Sequence, residues 1–312
     1  MNKYKLDFQH IKGILFVLIG AIGFASKAII VKLLYHYPID TISILTLRML
    51  FALPFFLAVI FYLENNKQKN ITLKDRIWMP LMGFFGYYVS SFLDFMGLQF
   101  VSAGLERLIL FIYPTIVILL SLLIFKKPIQ KIQIYALILT YLGIALAMTT
   151  DFTAQGEYFL LGAFFIFCSA FTYSFYLLGS EQLIPRIGPI LYSSWVMFYA
   201  TIFTLIHYAF LGKADLSTFP PTVYALSFLM AGIATIIPIF LTAEGIRLIG
   251  AGNMAIVGNI GPISTIILGN IFLNEPILLW QLVGTSFVLV GIFLIGSKKN
   301  KNTNKSKELV KY

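Results

Sequence analysis

The sequence predicts an all-α integral membrane protein with ten transmembrane helices, arranged as two inverted five-helix repeats. Three observations predict this class: an apolar composition, ten apolar runs of membrane-spanning length, and a repeated half. Of the 312 residues, 59% are hydrophobic and 12% are charged, and the mean hydropathy is +0.88. A soluble domain carries about 25% charged residues, so we expect most of this apolar surface to face lipid.

The ten apolar runs follow one another with short linkers, and each is close to the ~20 helical residues that cross a bilayer. In the first half they lie near 13–34, 39–63, 77–98, 102–125 and 129–149. In the second half they lie near 158–180, 188–211, 220–247, 252–273 and 277–297. The Lys- and Asn-rich segment 298–312 is expected to be a disordered, basic cytoplasmic tail.

The repeat appears when the chain is shifted by 148 positions, which places 97–148 on 245–296 without a gap. Thirteen positions are identical, and glycine and proline carry the register. The matched pairs include Gly97 with Gly245, Gly104 with Gly252, Pro114 with Pro262, and Pro128 with Pro276. Such a repeat in an apolar chain is typical of a duplicated membrane bundle. We therefore divide the chain into a first repeat at 1–150 and a second at 151–297.

Positive charge orients the predicted bundle. With ten spans both termini share one side, which carries eighteen Lys and Arg residues, against Lys32, Arg107 and Lys213 on the other side. Both termini are thus predicted to be cytoplasmic, in a multi-pass protein of the cytoplasmic (inner or plasma) membrane. This placement explains the net charge of +10 without a nucleic-acid partner. Because five spans is an odd number, the second repeat enters the membrane upside down, and such repeats usually enclose a substrate site near mid-membrane.

Matched helix interruptions mark the predicted translocation site. Tyr113-Pro114 lies in span four and Gly261-Pro262 in span nine. A proline there removes one backbone hydrogen bond, and the freed carbonyl should face protein or a wet cavity. Asn259 adds a hydrogen-bonding group in the second copy. A plain structural kink is an equally good interpretation of the two prolines.

Charged residues inside the spans are the second signal, because a charge at mid-bilayer costs about 2.5–3.5 kcal/mol on insertion scales. Those of the first repeat are predicted in the outer half of the membrane and those of the second near the inner side, which suggests ion-pair gates at opposite ends. Snorkelling at helix ends is the alternative interpretation. The substrate-binding candidates are Lys27, Arg48 and Asp94, together with Tyr173 as an aromatic wall residue; the gate candidates are Glu106, Arg107, Glu181, Glu244 and Arg247.

Several chemistries have no sequence signal. The single cysteine, Cys168, excludes an intrachain disulfide and a multi-cysteine metal site. A zinc-type His-Glu-x-x-His pair, a phosphate-binding glycine loop and an Asp-rich magnesium motif are all missing from the sequence. We therefore expect no metal, no cofactor and no enzymatic activity, and we expect energy from a gradient or from exchange rather than from ATP.

Taken together, these residues resemble the EamA-type members of the drug/metabolite transporter superfamily. The resemblance covers roughly residues 10 to 297, and its matching pieces are Ser26-Lys27-Ala28 to Lys32-Leu33, the span bearing Arg48, Gly97-Leu98 to Ala103, Pro114 to Leu123, Gly162 to Tyr176, and Gly261-Pro262 to Glu275-Pro276. It implies secondary transport of small metabolites or drugs, often export of amino acids, through a central cavity. The family commonly has a Glu near the end of span four as well as span nine, whereas here Lys126-Lys127 replaces the first.

The sequence thus predicts a secondary transporter that moves a small, amino-acid-like organic solute by alternating access, with export as the direction that the resemblance suggests. Lys27 or Arg48 would hold a carboxylate, while Asp94 would hold an ammonium group. Asp94 or Glu244 would also serve a coupling proton. A lipid, lipid-precursor or drug translocator of the same fold stays open, as do an intramembrane enzyme and a receptor or assembly factor without flux. A homodimer is compatible with the sequence.

Overall fold

The computed structural model describes residues 8–66, 71–126, 131–148, 157–212 and 214–296, and these residues form helices joined by short connections, without a strand. Seven helical segments are long and apolar enough to cross a membrane: Ile11–Leu34, Thr41–Glu64, Leu73–Leu98, Ala103–Phe125, Phe159–Ile187, Pro189–Leu211 and Pro221–Ala251. They coincide with predicted spans one to four and six to eight. The predicted tail at 298–312 lies outside the described residues.

The first half of the chain contains seven helical pieces. They are α1 (Phe8–Leu34), α2 (Thr41–Asn66), α3 (Leu73–Gly83), α4 (Ser90–Leu98), α5 (Ala103–Leu110), α6 (Tyr113–Phe125) and α7 (Lys131–Met148). A π-helical stretch, Phe84–Val89, joins α3 to α4. The third predicted span is therefore one long helix with a π insertion, and the fourth is α5 and α6 with a break at residues 111–112.

The second half contains α8 (Phe159–Ile187), α9 (Pro189–Leu211), α10 (Pro221–Ala231), α11 (Ile237–Val257), α12 (Gly261–Leu273) and α13 (Leu279–Gly296). A π-helical stretch, Gly232–Ile236, joins α10 to α11, and a 3₁₀ turn, Gly258–Ile260, precedes α12. Gly250 interrupts α11 with a φ of 80°, a conformation that a residue without Cβ adopts at little cost. The predicted boundary between spans eight and nine falls at this residue.

The shift that aligns the two halves of the sequence also aligns their helix boundaries. α3 and α10, α6 and α12, and α7 and α13 begin and end at positions that are 148 residues apart, and so do the starts of the two π stretches. Even the left-handed residues that end α6 and α12 correspond, since Lys126 has φ 53° and Asn274 has φ 54°. The two halves therefore share one backbone plan.

Contacts between helices come in pairs that are related by exchanging the halves. α4 packs on α8 as α11 packs on α1, and α6 packs on α8 as α12 packs on α1. α2 packs against α9, and α7 packs mainly against α13, so each of these helices meets its own counterpart. The interface between the halves consequently runs through the centre of the bundle.

The outer surface of the bundle is strongly apolar. Side chains such as Leu123 (74% exposed), Leu160 (71%) and Phe210 (84%) point outward. Apolar patches of this extent would promote association in water, whereas in a bilayer they are the surface that lipid tails cover.

Two polar contacts join connections that the topology prediction places on the same side of the membrane. Arg186 Nη1 lies 3.1 Å from Asp75 Oδ1, which links the start of α3 to the end of α8. Trp195 Nε1 donates to Glu64 Oε1 at 3.2 Å, which links α9 to the end of α2. Asp75 also completes a capping box with Thr72, so this end of α3 is held by several bonds.

Close approach of α3 to α9 depends on Gly83. A Cβ atom at this position would lie 2.6 Å from the carbonyl oxygen of Val196. The neighbour is backbone and cannot rotate away. We expect Gly83→Ala to lower the free energy of unfolding by about 1–3 kcal/mol, as other overpacking substitutions do, measured as thermal unfolding of the purified protein in detergent.

Gly232→Ala is the matched control for this prediction. Gly232 is also helical, but no atom lies within 4 Å of the added Cβ, so its effect should stay within about 1 kcal/mol and follow helix propensity alone. Equal stability of the two variants would contradict the described packing of α3 on α9.

Candidate functional site

A cavity of about 970 Å³, part of it open to solvent, lies between the two halves. Much of its wall is made of positions that the repeat relates, namely Ala21 with Ser169, Gly86 with Ala234, Tyr87 with Thr235, Ser91 with Ile239, Leu110 with Gly258, and Tyr113 with Gly261. The cavity is therefore built from equivalent parts of both halves.

Both π-helical stretches contribute to this wall. Gly86 and Tyr87 come from the first stretch, and Ala234 and Thr235 come from the second. A π turn interrupts the regular hydrogen-bond ladder, and such turns are frequent at functional sites. Thr235 Oγ1 donates to the carbonyl of Met230 at 3.0 Å, which satisfies one group that the irregular turn leaves. Neither stretch has a signal in the sequence, because each lies within an ordinary apolar helix.

The two predicted interruptions also reach the cavity. Pro114 and Pro262 each lie at the start of a helix, α6 and α12, where a missing N–H breaks no helical bond. They therefore begin helices instead of kinking one. Leu110 and Gly258, which precede the prolines by four residues and whose carbonyls a helical proline leaves unbonded, both line the cavity, as do Tyr113 and Gly261. The side chains of Asn259 and Pro262 lie outside the described part of the structure.

Tyrosines form one side of the cavity. Tyr87, Tyr113 and Tyr173 line it, and Tyr113 and Tyr173 meet edge to face with ring centres 5.8 Å apart. Tyr176 lies behind them, 5.5 Å from Tyr173 and 5.0 Å from Tyr87 between ring centres. Tyr192 stacks on Tyr176 at 6.4 Å. Such contacts contribute about 0.5–1.5 kcal/mol each beyond area burial, so this wall is firmly packed.

Charged side chains of the first half gather beside the cavity. Lys27 Nζ lies 2.5 Å from Asp94 Oδ2, which joins α1 to α4. Arg107 Nε lies 3.2 Å from Glu106 Oε2, and Arg107 also donates to the carbonyl of Phe24, which joins α5 to α1. Residues that the sequence singled out as charges within apolar spans thus come together from four different helices, since Arg48 of α2 lies in the same group.

The cations and the acids of this group occupy different layers. Lys27, Arg48 and Arg107 line the cavity, whereas Asp94 and Glu106 are at most 1% exposed and lie behind the wall. Among the described residues that line the cavity there is no Asp or Glu. Asp94, which the sequence suggested as a binding group for an ammonium ion, is bonded to Lys27 instead.

Among the described residues, Arg48 is the cation of the group that has no carboxylate within ion-pair distance. It is 3% exposed, and its Nη2 donates to Ser91 Oγ at 2.9 Å. Its guanidinium carbon lies 5.1 Å from the ring centre of Phe95. Within the described part of the chain, no acceptor lies within hydrogen-bond distance of its Nε atom. Ser91 had no signal in the sequence, because a lone serine in an apolar helix is common.

The gate candidates of the second half lie on α8 and α11. Arg247 donates to Glu244 through Nε at 2.9 Å and through Nη2, as their three-residue spacing on one helix allows. Arg247 is 46% exposed on its side chain. Glu181 of α8 approaches the bend in α11, where a Cβ on Gly250 would lie 3.8 Å from its Oε1.

One acidic residue has a role that spacing did not reveal. Glu275 Oε1 accepts a hydrogen bond from the backbone N–H of Ala103 at 3.2 Å. The carboxylate thus sits at the start of α5, where the helix dipole favours negative charge. This bond ties the connection after α12 to the beginning of the fourth predicted span, across the two halves of the chain.

Comparisons with known proteins agree with this architecture. A model described as the EamA-like transporter family matches residues 11–149 and 160–297. The uncharacterized transporter YcbK of Bacillus subtilis is 32% identical over 288 residues, which cover 90% of this chain and 92% of that protein. An uncharacterized transporter of Synechocystis is 23% identical over 94% of this chain and 96% of its own length.

A solved crystal structure also superposes on the described fold. Its chain aligns with a TM-score of 0.66 over 92% of this chain and 94% of its own length, at 10% sequence identity. At that identity the similarity shows a shared fold.

The Lys27–Asp94 pair can be tested by a double-mutant cycle. Lys27→Met leaves the buried carboxylate of Asp94 without its partner, and we expect a loss of about 3–5 kcal/mol in the free energy of unfolding. Adding Asp94→Leu should recover part of this loss, because the pair is then replaced by apolar groups. Thermal unfolding in detergent measures both variants.

The exposed pair on α11 provides the control. Arg247→Gln should change stability by at most about 1 kcal/mol, since exposed ion pairs contribute little. Additive effects of the two substitutions at Lys27 and Asp94 would contradict a direct interaction between them.

Proposed function

The chain belongs to the EamA-like transporter family, and on that premise we propose that it is a secondary transporter of a small, amino-acid-like organic metabolite. The observation that carries the proposal is the cavity between the two halves, whose wall pairs equivalent positions of both repeats. Sites of this kind are typical of transporters built from inverted repeats. The family resemblance adds export as the direction, and we propose transport as the activity instead of catalysis.

The proposed topology has ten spans in two inverted five-helix repeats, with both termini cytoplasmic. Seven of these spans have the necessary length and apolarity in the structure; the remaining three correspond to α7, α12 and α13. The shared helix boundaries and the exchange-related contacts support a two-fold relation between the halves. Because each half has an odd number of spans, that relation requires opposite orientations in the bilayer.

We further propose that the cavity opens alternately at its two ends. In an inverted duplication, each half can adopt the conformation of the other. When the two halves exchange conformations, the open end closes and the opposite end opens. At one end, the pair Lys27–Asp94 ties α1 to α4, and Arg107, which is paired with Glu106, ties α5 to α1 through the carbonyl of Phe24. Glu181 and the pair Glu244–Arg247 would serve the other end.

Energy for the cycle would come from a gradient or from exchange. Asp94 and Glu244 are the candidates to carry a coupling proton, because each is an acidic group bonded to a cation that a proton would release. Solute uptake by proteoliposomes with and without an imposed pH gradient distinguishes the mechanisms: uptake that ignores the gradient excludes proton coupling and leaves exchange.

Filling the cavity tests whether it is the path of transport. Gly261 is buried on the cavity wall, and no atom lies within 4 Å of a Cβ added there. Gly261→Leu should therefore leave folding intact and reduce solute flux in proteoliposomes at least about tenfold, since a misplaced substrate readily costs that much.

Gly232→Leu is the matched control, because a Cβ at Gly232 also meets no atom within 4 Å and Gly232 is not among the residues that line the cavity. Its flux should equal that of the unmodified protein. Equal flux through both variants would place the path elsewhere. Absence of flux for every candidate solute would favour a receptor or an assembly factor.

Orientation can be measured with single cysteines in a Cys168→Ser background. Ser217 and Lys74 are both exposed and lie in connections predicted on opposite sides of the membrane. Ser217→Cys should react with an impermeant maleimide in intact cells, and Lys74→Cys should react only after permeabilisation. The reverse pattern would overturn the predicted orientation.

A further inference from the structure

We propose that the cavity selects organic carboxylates that carry no cationic group, and that Arg48 binds the carboxylate. This inference rests on the proposed transport function and replaces its amino-acid-like substrate by carboxylates without an ammonium group. It changes the sequence-based expectation for a zwitterion, in which Asp94 would hold the ammonium group.

The balance of charge around the cavity is the first argument. Three cations, Lys27, Arg48 and Arg107, line the wall, and two acids, Asp94 and Glu106, lie behind it. Each acid is within ion-pair distance of one cation, Lys27 or Arg107. With both acids ionised, one positive charge remains in excess within the group, and among the described residues Arg48 is the cation that lacks an ion-pair partner.

The environment of Arg48 is the second argument. The side chain is almost fully buried, yet it donates to the Ser91 hydroxyl and lies over the face of Phe95 instead of pairing with a carboxylate. The carboxylate of Asp94 attracts the guanidinium of Arg48 electrostatically, but it is bonded to Lys27. Burying a charge with an unpaired N–H is unfavourable. A carboxylate in the cavity would supply the missing acceptor, and a guanidinium can bind it through two parallel bonds.

The absence of an anionic partner for a second, cationic group is the third argument. No Asp or Glu is found among the described residues of the wall. An ammonium group on the solute would therefore lie near three cations, and no carboxylate among the described residues of the wall would balance its charge. Because charges interact strongly where water is excluded, this arrangement disfavours amines and, to a lesser degree, zwitterions.

The second half of the chain suggests what the rest of the solute is like. The positions equivalent to Arg48 and Asp94 are Val196 and Thr242, so the charged group is not duplicated and the cavity has one anion site. The remaining wall includes Val17, Ile239 and Met254 together with the tyrosines. A monocarboxylate with a compact apolar or aromatic body matches this lining.

Three probes that share a phenyl ring test the inference: 3-phenylpropionate, phenylalanine and phenethylamine. On the same two-carbon chain they carry a carboxylate, a carboxylate with an ammonium group, and an ammonium group, respectively. A ligand that binds the folded state raises its melting temperature, so thermal shifts of the detergent-solubilised protein rank the probes. We expect stabilisation by 3-phenylpropionate at lower concentration than by phenylalanine, and none by phenethylamine.

Variants of Arg48 assign the effect to this residue. Arg48→Gln should weaken the binding of 3-phenylpropionate roughly 10- to 100-fold, the loss expected for a charge-assisted hydrogen bond. Arg48→Lys keeps the charge but loses the planar guanidinium that binds a carboxylate through two bonds, and its affinity should be intermediate. Lys12→Gln removes an exposed charge from α1, outside the cavity wall, and should leave binding unchanged.

The binding and flux measurements test the anion site and the proposed function separately. Tighter binding of phenylalanine or phenethylamine than of 3-phenylpropionate, no binding of any probe, or full binding by Arg48→Gln would each overturn the inference. If proteoliposomes then still transport a zwitterion or an amine, the proposed function stands. If 3-phenylpropionate binds through Arg48 but neither it nor any related acid is transported, the anion site stands and the proposed function fails.

Discussion

Backbone hydrogen bonding inside the hydrocarbon layer is the constraint on which this structure depends. No water is available there to bond a free N–H or C=O, so irregular backbone is tolerated only where it faces protein or a wet cavity. The interruptions in this chain obey that limit. Both π stretches and the breaks before α6 and α12 supply residues to the cavity wall, including Tyr87, Thr235, Leu110 and Gly258. The positions of irregular backbone thus mark the position of the site.

The repeat determines how the helices are arranged, and the differences between its two copies determine where the charged groups lie. Equivalent helices pack in equivalent ways, which brings matched positions of both halves around one cavity. The charges, however, belong to the first half, because Val196 and Thr242 stand where Arg48 and Asp94 stand in the other copy. The charged side chains of the cavity wall that the structure describes, Lys27, Arg48 and Arg107, therefore all come from one copy of the repeat.

Much of the fold follows from local rules, and the sequence alone predicts it. Span length and apolarity depend on bilayer thickness, so seven predicted spans coincide with helices of suitable length in the structure. The register of the repeat is defined by matched glycines and prolines, whose backbone conformations few other residues can adopt. Sequence reasoning also selected Lys27, Arg48 and Asp94, since charges within apolar helices are costly and therefore have a reason to be there.

The sequence does not indicate which side chains contact each other or which of them face the cavity. The positions of the π stretches depend on how neighbouring helices pack, and the composition of these segments does not indicate them. Pairing of Lys27 with Asp94 and of Glu275 with the N–H of Ala103 depends on how distant helices approach each other. Only the three-dimensional arrangement separates the cations on the wall from the acids behind it, because burial and distance between side chains of different helices are properties of the packed bundle.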